Sequence, residues 1–363
     1  MIGILGSVDY TGKDVAASYV RELLALQPED ELRLIRVESR SPHSAGEFEP
    51  DTVYVTIDSG DGSASTESDP DFVNEMTDDD FLVVVCNSVA GIHAGNALSR
   101  YISSSLVLVI WDDLDYILRD EPRVSVRLEV QKAELSLIRA ADSILVMSSY
   151  MAERCQRSGA KCDPVVARYS APEEVWGYGD SFVGTDKTSE DLLLAGSGYA
   201  WREVNEMHVS LVAGRLRGSS NSKLEIYGAV SKASSLIGLR ANDSVSPTKL
   251  PIDQFVAGYV PYWRDSKMVP FARSAFPSKL SLYLALGLPV LYHGPYEGSP
   301  SAYIKDHGLG SSIRRVSPRA ATRVLRMLSS TDFVAEFHEA RELLRSSAIG
   351  PGGLGRVFAQ QIG

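Results

Sequence analysis

The chain of 363 residues is short of cysteine, of positive charge and of long apolar runs, and each shortage excludes a class of protein. Three cysteines (Cys86, Cys155 and Cys162) are odd in number and widely spaced, which fits neither a disulfide framework nor a zinc cluster. Reduced thiols in a cytosolic setting are expected. Lysine and arginine number 36 against 47 acidic residues, a formal net charge of -11. A nucleic-acid binder needs a basic surface for phosphate contacts, so no nucleic-acid partner is expected. The longest apolar runs, FLVVVC at 81–86 and LVLVI at 106–110, are strand-length and far below the roughly 20 residues of a membrane span. The opening MIGILG turns polar at once (SVDYTGKD), unlike a secretory leader. The expectation is a cytoplasmic protein. Peripheral docking on a membrane surface stays open, although no basic amphipathic helix stands out.

What is present is ordinary globular material. Hydrophobic residues make up 44% and charged residues 23%, values that speak against disorder. The length suits two domains of about 150–200 residues each. Apolar periodicity alternates between strand and helix. Strands are expected at 1–6, 32–37, 52–57, 81–86, 106–111 and 143–147. Helices are expected at 13–26, 95–103, 123–140 and 149–159. A polar stretch from 59 to 80 reads as a loop with a short helix near 71–76. Residues 170–190 lose all periodicity and read as a linker. A second alternating unit has strands at 191–194, 223–227 and 289–292. Its helices fall at 204–215, 278–286, 299–307, 318–328 and 332–346, with a loop-rich patch from 241 to 276. The expected division is 1–172, 190–345 and a tail, 346–363, packing back on the first lobe. Strand and helix at this rhythm predict α/β architecture: two Rossmann-like, doubly wound parallel sheets facing across a cleft, with ligands beyond the carboxyl ends of the strands.

The most informative stretch is FPSKLSLYLALGLPVLYHGPYE, 276–297. Ser278 suits an N-cap, Pro277 stops any helix upstream, and Lys279 falls in the first turn. A helix N-terminus offers free N–H groups and a positive dipole end, which favour an anion. Lysine is a poor choice there for dipole reasons alone, so its presence points to an anion to be neutralised. Gly287 closes the helix and Pro289 enters the next strand.

The run P-S-K-L-x-x-Y-L-A-x-G-x-P-V resembles the donor-binding segment of GT-B glycosyltransferases, in particular the family 4-like and family 1-like groups. AADSILVMSSYMAERCQRSGAK (140–161) is similar to a first-lobe strand and helix of the same family. LLLAGSGYAWR follows the linker where the family places its glycine loop. The resemblance implies the GT-B fold, a nucleoside-diphosphate-sugar donor such as a UDP-sugar, and a glycan, lipid-linked or small-molecule acceptor. Metal and cofactor are not expected, and a homodimer is compatible with it. One departure stands out: where many retaining members carry two glutamates, this chain has Ser274 and Leu282, and a leucine cannot accept hydrogen bonds from a ribose.

Candidate donor-side residues are Gly196 and Gly198, which let backbone approach a ligand closely, and Arg202, a pyrophosphate clamp or a surface group. Tyr227 and Gly228 at a strand end, Ser278, Lys279 and His293 complete the set, with core packing the favoured reading for Tyr227 and a structural role an equal reading for His293. On the acceptor side, Asp9 and Tyr10 lie in the loop GSVDYTG, and Asp112 and Asp113 follow the strand LVLVIW. His93 lies in the glycine-rich loop NSVAGIHAG. If the reaction inverts, His93 and Asp112 are the candidate catalytic bases; if it retains, none is needed. Asp113-Leu114-Asp115 has the form of a metal-binding pair but sits in the wrong lobe plan for one, so the acids are expected to line the acceptor side or be solvated. The alternatives are a non-catalytic GT-B partner subunit, favoured by the missing glutamates, and a nucleotide-sugar epimerase. A dehydrogenase is excluded because neither glycine loop has G-x-G-x-x-G spacing.

Overall fold

The computed structural model describes residues 2–6, 22–23, 32–39, 52–57, 77, 80–100, 103–119, 121–183, 190–196, 200–228, 235 and 237–362. The chain divides into two compact units, Met1–Arg168 with Leu354–Gly363, and Tyr169–Gly353.

The first unit is built on seven strands: β1 (Ile2–Gly6), β2 (Leu32–Ser39), β3 (Thr52–Ile57), β4 (Phe81–Cys86), β5 (Ser105–Ile110), β6 (Ser143–Val146) and β7 (Val165–Val166). They pair in parallel in the order β3-β2-β1-β4-β5-β6-β7. Connectivity reverses between β1 and β4, as in doubly wound folds. β4 and β5 are buried from their second residue to their last, because helices cover both faces of such a sheet and leave no polar side to alternate with. From β4 to β7 its described helices are α1 (Val89–Leu98), α2 (Leu114–Ile117), α3 (Val124–Ala140) and α4 (Ser149–Arg157).

α1 corrects the sequence reading, which placed a loop at 87–95 and a helix only from Gly95. Ser88 caps the helix, its hydroxyl accepting from the Gly91 N–H at 3.0 Å. The glycines taken for loop residues are packing residues: a Cβ on Gly95 would lie 2.4 Å from a Val84 methyl of β4.

The second unit opens with α5 (Glu173–Asp180), inside the stretch read as a linker. Trp176 is fully buried, and a Cβ on Gly179 would sit 2.1 Å from the Ala285 carbonyl. The absence of periodicity there reflects a helix of only two turns pressed close to another backbone. β8 (Asp191–Ala195), α6 (Trp201–Leu216), β9 (Leu224–Tyr227), β10 (Ala241–Asn242), β11 (Phe255–Pro261), α7 (Val269–Ser274), α8 (Ser278–Ala285), β12 (Val290–His293), α9 (Ser299–Asp306), β13 (Gly310–Ile313), α10 (Pro318–Leu328) and α11 (Thr331–Arg345) follow. The parallel order is β10-β9-β8-β11-β12-β13, a second doubly wound sheet. Helix residues Val204, Met207, Leu211, Leu325 and Leu328 bury against Leu192, Leu194, Ile226 and Leu291 of the strands. Each such side chain contributes roughly 1.5–3 kcal/mol relative to exposure.

β11 is the largest correction. It lies at the centre of the sheet, buried along its whole length, within the patch expected to be loop. The closing helix, α12 (Gly353–Ile362), belongs largely to the first unit, where Gln361 accepts a hydrogen bond from Ser143 at 2.9 Å. No helix among the described residues is long and apolar enough to cross a membrane.

Candidate functional site

The second unit gathers several of the expected donor-side residues at the carboxyl end of its sheet. β8 ends at Ala195, and Gly196 follows with φ +79°. A Cβ at Gly196 would stand 3.4 Å from the Lys279 Nζ, so the amine lies directly over the glycine. Burial pushes the Lys279 ammonium down to about 8; this cation is not a solvated surface group. The neighbouring strand end closes the other side: Gly196 N–H donates to the Tyr227 carbonyl at 2.8 Å. Gly228, at φ +146°, packs so closely that a Cβ there would meet the Gly196 carbonyl at 2.4 Å. Tyr227 is half-buried, edge-on to Phe255 at 6.2 Å. Gly196, Tyr227, Gly228 and Lys279 therefore form one cluster, and Gly198 lies outside the described residues.

Lys279 reaches Gly196 from the first turn of α8. Ser278 is not the cap: Pro277 occupies that position, without a side-chain hydrogen bond, and Ser278 is the first helical residue. A proline with extended backbone can precede a helix as well as a serine can, and it supplies no side-chain cap to the start of α8. Together with Lys279 that helix start makes an anion-favouring corner.

Arg202 sits in the first turn of α6, with its side chain 76% exposed and paired to Glu206 at 3.4 Å. A different arginine, not singled out by any local pattern, is held against the same helix. Arg264 follows β11 and bonds Glu203 at 3.2 Å, Glu206 at 2.6 Å and the Arg314 carbonyl at 2.8 Å. Only contacts between residues about sixty positions apart define it, which no local pattern reveals.

His293 is the last residue of β12 rather than a residue beyond it, and its side chain is fully buried. Its Nδ1 lies 2.7 Å from the Tyr259 hydroxyl, and Tyr259 also reaches the Glu203 carbonyl at 3.1 Å. Burial, reinforced by Arg264, lowers its pKa to about 3, so the ring is neutral at any working pH. Its Nε2 is buried and has no protein partner.

The two positions that answer to the paired glutamates of many retaining GT-B enzymes carry no acid. Ser274 is fully buried and donates to the Phe271 carbonyl at 3.0 Å in its own helix. Leu282 is half-buried on α8.

In the first unit, Asp112 follows β5 and is half-buried. Burial raises its pKa to about 6, with Asp113 adding to the rise and Arg119 opposing it. Asp113 is the N-cap of α2, accepting from the Asp115 N–H at 2.9 Å, and is itself buried. That role accounts for the Asp-x-Asp spacing. Among the described residues, no group of three or more His, Cys, Asp or Glu side chains could hold a metal. His93 lies within α1 and is half-buried; burial lowers its pKa while Glu129 opposes the shift. Asp9 and Tyr10 lie outside the described residues.

This architecture is that of known sugar-transfer proteins. HepE from Anabaena, solved in complex with UDP and glucose, superposes with a TM-score of 0.65 at 11% identity, over 99% of this chain and 98% of that one. Sucrose-phosphate synthase from Thermosynechococcus elongatus gives 0.64 at 13% identity over 99% and 97%. The trehalose 6-phosphate synthase of Burkholderia multivorans gives 0.59 at 9% over 99% and 97%. The chain has the GT-B glycosyltransferase fold, two Rossmann-like units with parallel sheets. No protein-family model and no curated relative matches it.

Proposed function

We propose that this protein transfers a glycosyl group from a nucleoside-diphosphate sugar to an acceptor hydroxyl, without a metal. The observation that carries the reading is Lys279, a buried ammonium at the start of α8 placed over Gly196 at the carboxyl edge of a doubly wound sheet. A cation shielded from water at a helix N-terminus that has no side-chain cap, beside a glycine with no Cβ, is suited to a diphosphate. In the reaction, the acceptor hydroxyl attacks the anomeric carbon and the nucleoside diphosphate leaves. Lys279 and the α8 N-terminus stabilise the charge growing on the leaving phosphate. Asp112, largely ionised above pH 6, is our choice for the base in an inverting reaction, with His93 second. UDP is the favoured nucleotide because structures of the same fold, such as HepE, are bound to UDP.

The test is a thermal-shift panel of UDP, GDP, dTDP and CMP against the wild type and Lys279→Ala. One nucleoside diphosphate should raise the melting temperature, and the variant should lose most of that rise. If no nucleotide moves the wild type, the donor-site assignment is wrong. A second reading, a non-catalytic GT-B partner subunit, is favoured by the serine and leucine that stand at the glutamate positions. It predicts nucleotide binding without sugar transfer or donor hydrolysis by the purified chain.

A further inference from the structure

The switch point of the second sheet lies between β8 and β11, the adjacent strands from which the chain runs outward in both directions. Their ladder is short and irregular. Phe255 pairs with Asp191, Ala257 with Leu192 and Gly258 with Leu193, with a register shift between Phe255 and Ala257, and no pair follows. Beyond the last pair, a side chain from α8 stands between the strands. The Tyr283 hydroxyl accepts from the Ala195 N–H at 2.9 Å and donates to the Tyr259 carbonyl at 3.3 Å. It thereby takes the place of a ladder bond. The ring can lie there only because β11 has a glycine beneath it: a Cβ on Gly258 would be 2.1 Å from the ring. Tyr283 is fully buried.

Residue 283 is four positions beyond 279, on the same face of α8. One helix therefore fixes the end of β8 through a hydroxyl and presents an ammonium to the very next residue, Gly196. We infer that Tyr283 is a positioning residue that holds the Ala195–Gly196 turn in register with Lys279, so that the donor's diphosphate finds both at once. The inference rests on the nucleotide-sugar reading above. Without the hydroxyl, Ala195 N–H and Tyr259 C=O lose their shared partner in a buried place, where neither can turn to water. The strands then close or shift, and Gly196 moves relative to the amine. Tyr283 touches no ligand in this scheme; it acts through the turn.

The experiment is calorimetric titration of UDP and UMP into the full chain as wild type, Tyr283→Phe, Lys279→Ala and the double variant. GDP and GMP are used instead if the wild type prefers guanine. Tyr283→Phe should weaken UDP about tenfold and UMP by less than about twofold, since small misplacements of positioned groups carry penalties of this size. In the Lys279→Ala background the same change should add nothing. A Tyr283→Phe protein that binds UDP as the wild type does overturns the inference. So does a loss that is equal for UDP and UMP and persists without Lys279, because that is general loosening. If the wild type binds no nucleotide, the donor-site reading itself fails and this inference falls with it. Should Tyr283→Phe not fold, amide hydrogen exchange on the wild type decides. The Ala195 amide should be protected before ligand is added, and UDP should slow exchange at Gly196. An Ala195 amide that exchanges like an exposed loop refutes the inference.

Discussion

Replacing Arg341 by methionine should unfold the second unit at markedly lower denaturant. Its guanidinium is fully buried and, besides the adjacent Glu342 carboxylate at 3.0 Å, has four partners. Nε donates to the Leu284 carbonyl at 2.7 Å, and Nη2 donates to the Ala285 carbonyl at 3.0 Å and the Trp176 carbonyl at 3.4 Å. Nη1 pairs with Asp180 at 2.7 Å, and the group lies 4.8 Å from the centre of the Trp176 indole. Leu284 and Ala285 end α8, where carbonyls lack their usual helical partners, although Leu284 also accepts from the Gly287 N–H at 3.0 Å. Methionine fills a similar volume but leaves buried acceptors and a carboxylate behind. The loss should be about 3–5 kcal/mol, the range for breaking a buried charged network. For a unit of this size that is a fall of roughly 10 °C in melting temperature. Arg345→Ala is the control: it pairs with the same Asp180 at 2.5 Å, but 30% of its side chain is exposed. It should cost no more than about 1 kcal/mol. Urea titration followed by tryptophan fluorescence suits the measurement, because Trp176 is in contact with the altered side chain. Equal losses for the two variants, or an Arg341→Met protein within about 1 kcal/mol of the wild type, would refute the reasoning.

Further outcomes follow from the titrating groups and the tight glycines. Burial holds the Lys279 ammonium near 8, so affinity for UDP in a pH series should fall as pH rises through about 8. The unfolded chain keeps that proton up to about 10.5, so the stability of the free protein gains from this group between those values, and Lys279→Met should abolish both trends. With Asp112 at about 6, kcat/KM of an inverting reaction should climb as pH rises through that value, and Asp112→Asn should lower it about 10²–10⁴-fold. Asp180 is pushed up by partial burial but held below its ordinary value by hydrogen bonds from Arg341 and Arg345. That stabilisation is present above pH 4 or so and disappears as acid protonates the carboxyl, which acid titration of the wild type and Arg341→Met should reveal. Gly179→Ala drives a methyl to within 2.1 Å of the Ala285 carbonyl, and should cost about 1–3 kcal/mol by denaturation because backbone cannot step aside as a side chain can.

The features legible in the sequence were those written in local period. β4, β5, β6 and β8 are runs of apolar residues with helices on both sides, and their positions follow from that pattern alone. Lys279 was legible for a different reason: a lysine in a helix's first turn runs against the dipole. Glycine misled in both units. In α1 and in β11 it serves close packing, against Val84 and against the Tyr283 ring, yet in a sequence it has the look of a turn. α5 was hidden because it is short and is held in place by Arg341, 165 residues after Trp176. Tyr283 lay inside the quoted motif, but its task is defined by Ala195 and Tyr259, neither of which is near it in the chain. Arg264 and its two glutamates were invisible for the same reason.

The closing helix has a consequence for how the molecule is made. Leu354–Gly363 belongs with residues up to Arg168, with Leu354 and Phe358 wholly out of solvent and Gln361 tied to Ser143 at the start of β6. Synthesis runs from the amino end, so the first-made half waits for its last ten residues until the whole of the other half has emerged. A fragment stopped at Arg168 is an unfinished body with an apolar seat left open, and a chaperone or an aggregate would find it first.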